Sequence, residues 1–154
     1  MRNLPLEKRS GSQPKRASAS ERGFAGVLAL GLLALLVVAS GLRPDESGIG
    51  THKQLGLDPC PWMTLFDTPC PTCGMTTSFS HAAHGQYAGA FHAQPLGATM
   101  AITSAAAFWL CLHVAVFGSR IGAPAGRLLV GWGPKLLVVA LLAAWAYKVV
   151  VHTQ

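Results

Sequence analysis

Gly23 to Leu42 runs for twenty residues without a charged side chain, fenced by Arg22 and Arg43. As a helix rising ~1.5 Å per residue it covers ~30 Å, the thickness of the hydrocarbon core of a bilayer. A lone segment in lipid satisfies its own backbone only as helix, so this run predicts a first transmembrane helix over 23–42. Val38-Ala39-Ser40 before Gly41 has the small residues of a signal cleavage site. The run is longer than the roughly 7–15 residues of a signal's apolar region, and its basic leader is long, so an uncleaved anchor is expected.

Two further apolar runs follow. Pro95 to Phe117 holds no Asp, Glu, Lys or Arg, and Pro95 suits the first turn of a helix, where its missing N–H costs nothing. Leu136 to Val151 is shorter, reaching ~24 Å unless it begins near Trp132. Lys148 interrupts it near the end, where a long stem can carry the ammonium to the interface. Apolar residues make up 51% of the chain and charged residues 12%, against roughly 25% charged in soluble domains. The expected fold is an all-α integral membrane protein of about three transmembrane helices.

The charge pattern sets the expected topology. Six of the twelve Lys and Arg residues lie in the first 22 positions, and Arg120, Arg127 and Lys135 lie in the connection 118–135, which has no acid. The 43–94 loop carries Arg43 and Lys53 against Asp45, Glu46, Asp58 and Asp67. The positive-inside rule then makes 1–22 a disordered cytoplasmic tail, 118–135 a cytoplasmic connection, and 43–94 an extracytoplasmic loop. The net charge of +6 is a topology signal, and no nucleic-acid partner is expected. Trp62, Trp109, Trp132 and Trp145 suit the membrane interfaces. Gly97, Ala101 and Ala105 form a small-residue stripe on the second span, a face through which a membrane-protein partner can approach.

The chemistry is concentrated in the loop, which holds three of the four cysteines. Cys70-Pro71-Thr72-Cys73 is a C-x-x-C with three competing uses. It can cycle between dithiol and disulfide, with Cys70 or Cys73 as nucleophile. It can supply two thiolates to a metal. It can form a static disulfide, within itself or with Cys60. Gly74 permits a backbone angle closed to other residues. From Met75, the residues Met75, Phe79, Ala82 and Ala83 share one apolar face, predicting a short amphipathic helix on the membrane surface that Gly85 ends. Thr77, Ser78, His81 and His84 fall on its polar side. With Cys60, Cys70 and Cys73, the pair His81 and His84 offers a mixed Cys/His metal set for zinc or iron, although the spacing is shorter than a zinc-finger interval and surface histidines are the better reading. No cofactor is otherwise expected. Cys111, ~24 Å along the second span from Pro95, is expected to be apolar filler.

Cys60-Pro61, Pro69-Cys70-Pro71-x-Cys73-Gly74-x-Thr76, a helical stretch ending at Gly85, and Gln94-Pro95 before a span resemble a bacterial family of unknown function, DUF2752. The resemblance covers Cys60 to Phe117. It departs from the family pattern at Thr77, where many members have Arg, and at Gln94, where many have Asn. It implies a small integral membrane protein, placed in the bacterial inner membrane, and implies no activity. The expected role is a structural cap or interaction site beside the lipid bilayer, with thiol–disulfide oxidoreductase and metal-binding protein as alternatives.

Overall fold

The computed structural model describes residues 16–119 and 123–152, with side chains described for 16–119 and 133–150. Among them there are six α-helices and one 3-10 turn, and no strand. Helix α1 spans Ala19–Gly41, α5 spans Pro95–Phe117 and α6 spans Ala123–His152. Three stretches are long and apolar enough to cross a membrane: Ala19–Gly41, Pro95–Phe117 and Gly133–Val150. At most 17% of any of them is buried within the protein. Phe24, Leu30, Trp109 and Val139 are all left largely exposed, a surface that suits lipid and not water.

Helix boundaries differ from expectation at two places. The tail assigned to 1–22 is already helical from Ala19. Ser18 and Glu21 form a reciprocal cap: the Glu21 N–H donates to Ser18 Oγ at 3.2 Å, and the Ser18 N–H donates to Glu21 Oε2 at 2.6 Å. That pattern starts a helix regardless of the charge at Arg22. Residues 1–15 lie outside the described residues. The connection assigned to 118–135 is helical from Ala123, with Pro124 in the first turn and Pro134 in the interior. Proline is well suited to a first turn. Arg120 and the side chains of Arg127 and Trp132 lie outside the described part.

Helices α1 and α5 pack antiparallel. Arg22 near the start of α1 donates from Nε to Ala115 O and from Nη2 to Val116 O, each at 3.0 Å, on the last turn of α5. At the opposite end, the 43–94 segment folds into a cap. It comprises the 3-10 turn Thr51–Leu55, α2 (Pro61–Phe66), α3 (Met75–Ala83) and α4 (Tyr87–Ala93). Phe79 of α3 is buried with Ala39 of α1 and Ala101 of α5, and Met75, Ala82 and Met100 pack around them.

Much of the polar side of α3 does not face solvent, although His84 beside its end is exposed. Thr77, Ser78 and Ser80 are buried, and each is bonded to another part of the protein. Thr77 Oγ1 accepts from Thr51 Oγ1 at 2.9 Å. Ser78 Oγ donates to Ala90 O and Gln94 O, and Ser80 Oγ donates to Leu42 O at the end of α1. The two serine hydroxyls satisfy carbonyls at turns and helix ends, groups that burial would otherwise penalise, and the two threonine hydroxyls satisfy each other. Gly97 and Ala101 of the small-residue stripe are likewise used within the chain. A Cβ at Gly97 would come within 2.9 Å of Ser78 Cβ.

Lys148 also departs from expectation. Its ammonium does not reach for the interface, and the residue is only 4% exposed. Nζ donates to Ala93 O at 2.9 Å and Gly48 O at 3.4 Å. The C-terminal half of α6 thus grips the cap, so the cap side of α1, α5 and α6 is one and the same.

Candidate metal centre

Cys60 lies between Pro59 and Pro61 and is the residue from which α2 starts. Its carbonyl accepts from the N–H groups of Met63 and Thr64, and Pro61 occupies the helix's first turn without needing a partner. α2 ends at Asp67, whose φ of 49° lets the chain reverse. The return leg brings Pro69 and the C-x-x-C turn back beside Cys60.

The turn is held from both sides. Trp145 Nε1 of α6 donates to Pro69 O at 3.1 Å, and Gln94 Nε2 donates to Pro71 O at 3.0 Å. These carbonyls bracket Cys70. Within the turn, Cys73 N–H donates to Cys70 O at 3.0 Å, and Cys70 N–H donates to Cys73 Sγ at 3.1 Å. Gly74 then adopts φ +87°, and a Cβ there would lie 2.8 Å from both Ala93 O and Gly48 O. Only glycine fits this passage into α3.

The outcome is a cluster of three sulfurs. Sγ of Cys60, Cys70 and Cys73 all lie within 4.8 Å of one another, and the Cys70–Cys73 pair is 2.8 Å apart. A tetrahedral ion with metal–sulfur bonds of ~2.3 Å separates its sulfurs by ~3.8 Å, so the cluster brackets that size. The cysteines are free, Cys73 buried and the other two half-buried. They line a cleft of about 220 Å³ with His52, Thr72 and Thr77.

The two thiols of the turn are unlike. Burial pushes Cys70 up, but hydrogen bonds from Cys73, Thr72 and Cys60 outweigh it and bring it below the ordinary thiol value. Cys73 is pushed up to about 12, by burial first and then by its bond to Cys70. Both directions fit one arrangement, a Cys73 S–H donating to a Cys70 thiolate.

The histidines singled out from sequence are not part of this cluster. His81 Nδ1 is bonded to Gln86 Oε1 at 2.7 Å, and His84 Nδ1 to Ser80 O at 2.8 Å. Both sit at the far end of α3 from Cys73. Cys111, on α5, is also outside the cluster. Sequence reasoning missed His52 and Trp145. Neither is near the C-x-x-C in sequence, and only the folding of 43–57 and the return of α6 bring them to it.

Residues 60–113 match the model of one protein family, described as a protein of unknown function, DUF2752. No curated protein and no solved structure matches the chain. The matched segment begins at the first cysteine of the cluster and encloses all three, together with Gly74 and Gln94. His52, Trp145 and Lys148 lie outside it.

Proposed function

We propose that this membrane protein uses its cap to bind one thiophilic metal ion through Cys60, Cys70 and Cys73. One observation carries the reading. Two cysteines of a C-x-x-C turn are near each other in any fold, but nothing local brings a third sulfur to within 4.8 Å from ten residues away. Three converging thiolates are the donor set that soft or borderline ions such as zinc and copper(I) select. The ion would tie the start of α2 to the start of α3 and lock the cap, so metal binding and a structural cap are one role. The charge distribution favours a cap on the extracytoplasmic face with the N-terminus inside, and the likeness to DUF2752 suggests that the membrane is a bacterial inner membrane.

The test is metal content after purification of the reduced protein in detergent, beside Cys60→Ser, Cys70→Ser and Cys73→Ser. The reading expects close to one ion per chain, lost in each variant. Equal trace metal in all four preparations would overturn it. Labelling of single-cysteine variants with an impermeant maleimide in intact cells tests the orientation.

The unlike thiols favour a second reading, a thiol–disulfide oxidoreductase. The Cys70 thiolate would attack a substrate disulfide, expelling one substrate thiolate and forming a mixed disulfide. Cys73 would then displace the second substrate thiol and leave a Cys70–Cys73 disulfide, a two-electron transfer to the substrate. A reversible disulfide in metal-free protein, unaffected by Cys60→Ser, distinguishes it from the metal centre.

A further inference from the structure

We infer that His52 is the fourth ligand and that the ion is zinc, held in a closed Cys3His site. The inference rests on the metal-binding reading above and adds to it a residue outside the matched segment.

His52 lines the cleft that holds the three sulfurs, and with Cys60 it also lines the adjoining cleft of about 300 Å³. The two residues therefore form part of the wall between the clefts. The backbone beside His52 is fixed. Thr51 is fully buried; its Oγ1 accepts from Asp45 N–H at 3.0 Å and donates to Thr77 Oγ1 at 2.9 Å. Thr77 stands four residues beyond Cys73 on α3, so this clamp registers His52 directly against the C-x-x-C turn. Gly50 and Gly56, at φ +108° and +74°, turn the chain on either side.

The side chain, in contrast, is free. Among the described residues the His52 ring makes no hydrogen bond, whereas His81 and His84 each commit a ring nitrogen. His52 is half-buried at the rim, outside the 4.8 Å sulfur cluster, so it completes the set by turning its ring inward. A fixed backbone carrying an uncommitted imidazole beside three cysteine sulfurs supplies the donor types of a tetrahedral structural zinc site, which the sulfurs enter as thiolates once the metal displaces their protons. The mixed nitrogen and sulfur set favours zinc over copper(I), for which three sulfurs suffice. A site closed by four protein ligands leaves no position for water, so it staples the Thr51–Leu55 turn to α2 and α3 and is not catalytic.

The experiment uses the full-length protein in detergent, with zinc affinity from chelator competition and cobalt(II) as the spectroscopic probe. Wild type, His52→Ala, His52→Cys and Cys60→Ser are compared. His52→Ala should weaken zinc by at least tenfold and shift the cobalt visible bands, as water replaces nitrogen. His52→Cys should restore the affinity and strengthen the sulfur-to-cobalt charge-transfer band. If His52→Ala matches wild type in affinity and spectrum while Cys60→Ser does not, the inference about His52 fails and the three-thiolate site stands. If none of the proteins binds either ion, the metal-binding reading itself fails.

Discussion

Lys148 Nζ donates to the carbonyl of Ala93 at 2.9 Å, across fifty-five residues of chain. Ala93 ends α4, and Gly48, the second acceptor, lies in the first leg of the cap. The buried ammonium thus answers carbonyls that would otherwise be left without donors beside Gly74. A hydrogen bond from a charged donor is worth ~1.5–3 kcal/mol, and an orphaned buried acceptor costs a similar amount. Lys148→Met should therefore destabilise the protein by about 2 kcal/mol and speed maleimide labelling of the cap cysteines. Thermal unfolding in detergent and labelling rates check this, and unchanged values in both would exclude the tether.

Gly74 and Gly85 both have positive φ, yet they should respond differently to alanine. At Gly85 a Cβ meets nothing within 4 Å, so Gly85→Ala should cost only the left-handed backbone strain, ~1–2 kcal/mol. At Gly74 the same strain adds to contacts of 2.8 Å with two backbone oxygens, neither of which can move without breaking the Lys148 tether. Gly74→Ala should lower the melting temperature several-fold more than Gly85→Ala. Equal shifts would mean that the crowding at Gly74 is relieved easily.

The spans were legible because length and apolarity alone decide them, and the α3 face was legible from Met75, Phe79 and Ala82. The direction of its other face was not. A Thr or Ser on a short helix reads as solvent-facing, yet Ser78 and Ser80 meet carbonyls freed at helix ends and Thr77 meets the Thr51 hydroxyl, partners visible only once those segments converge. Lys148 misled for the same reason, since its carbonyl partners come from the chain 55 and 100 residues earlier. At the site, Cys60, Cys70 and Cys73 were legible as one group. The choice between His52 and the pair His81 and His84 was not, because spacing along the chain favours the latter and the Thr51–Thr77 clamp favours the former.

The unlike thiols predict a split in reactivity with pH. A thiol is alkylated as its thiolate, so a lowered pKa moves the rise in rate to lower pH and a raised one delays it. In metal-free reduced protein, Cys70 should reach half its maximal alkylation rate below the ordinary thiol midpoint. Cys73, pushed up to about 12, should stay unreactive through the neutral and mildly alkaline range. Cys73→Ala removes the strongest of the hydrogen bonds that lower Cys70 and leaves the burial that raises it. The Cys70 midpoint should then move up. Mass spectrometry of alkylated peptides across a pH series reads both midpoints, and a single shared midpoint would contradict the pairing.

Arg22 ties the other end of the molecule. Its guanidinium spans two carbonyls of the last α5 turn, Ala115 O and Val116 O, where a positive charge also meets the negative end of the helix dipole. Lysine has the charge but not the planar fork, so it cannot serve both carbonyls in the same way. Arg22→Ala should cost about 1–2 kcal/mol, the sum of two exposed hydrogen bonds and the dipole contribution. Arg22→Lys should cost about half as much, because the dipole contribution survives. Since the cap lies at the opposite ends of α1 and α5, neither variant should alter metal content or maleimide labelling of Cys60, Cys70 and Cys73. Unfolding in detergent at low and high salt gives the check: the Arg22→Lys advantage over Arg22→Ala should shrink as salt screens the charge, and an advantage indifferent to salt would argue against the dipole as its source.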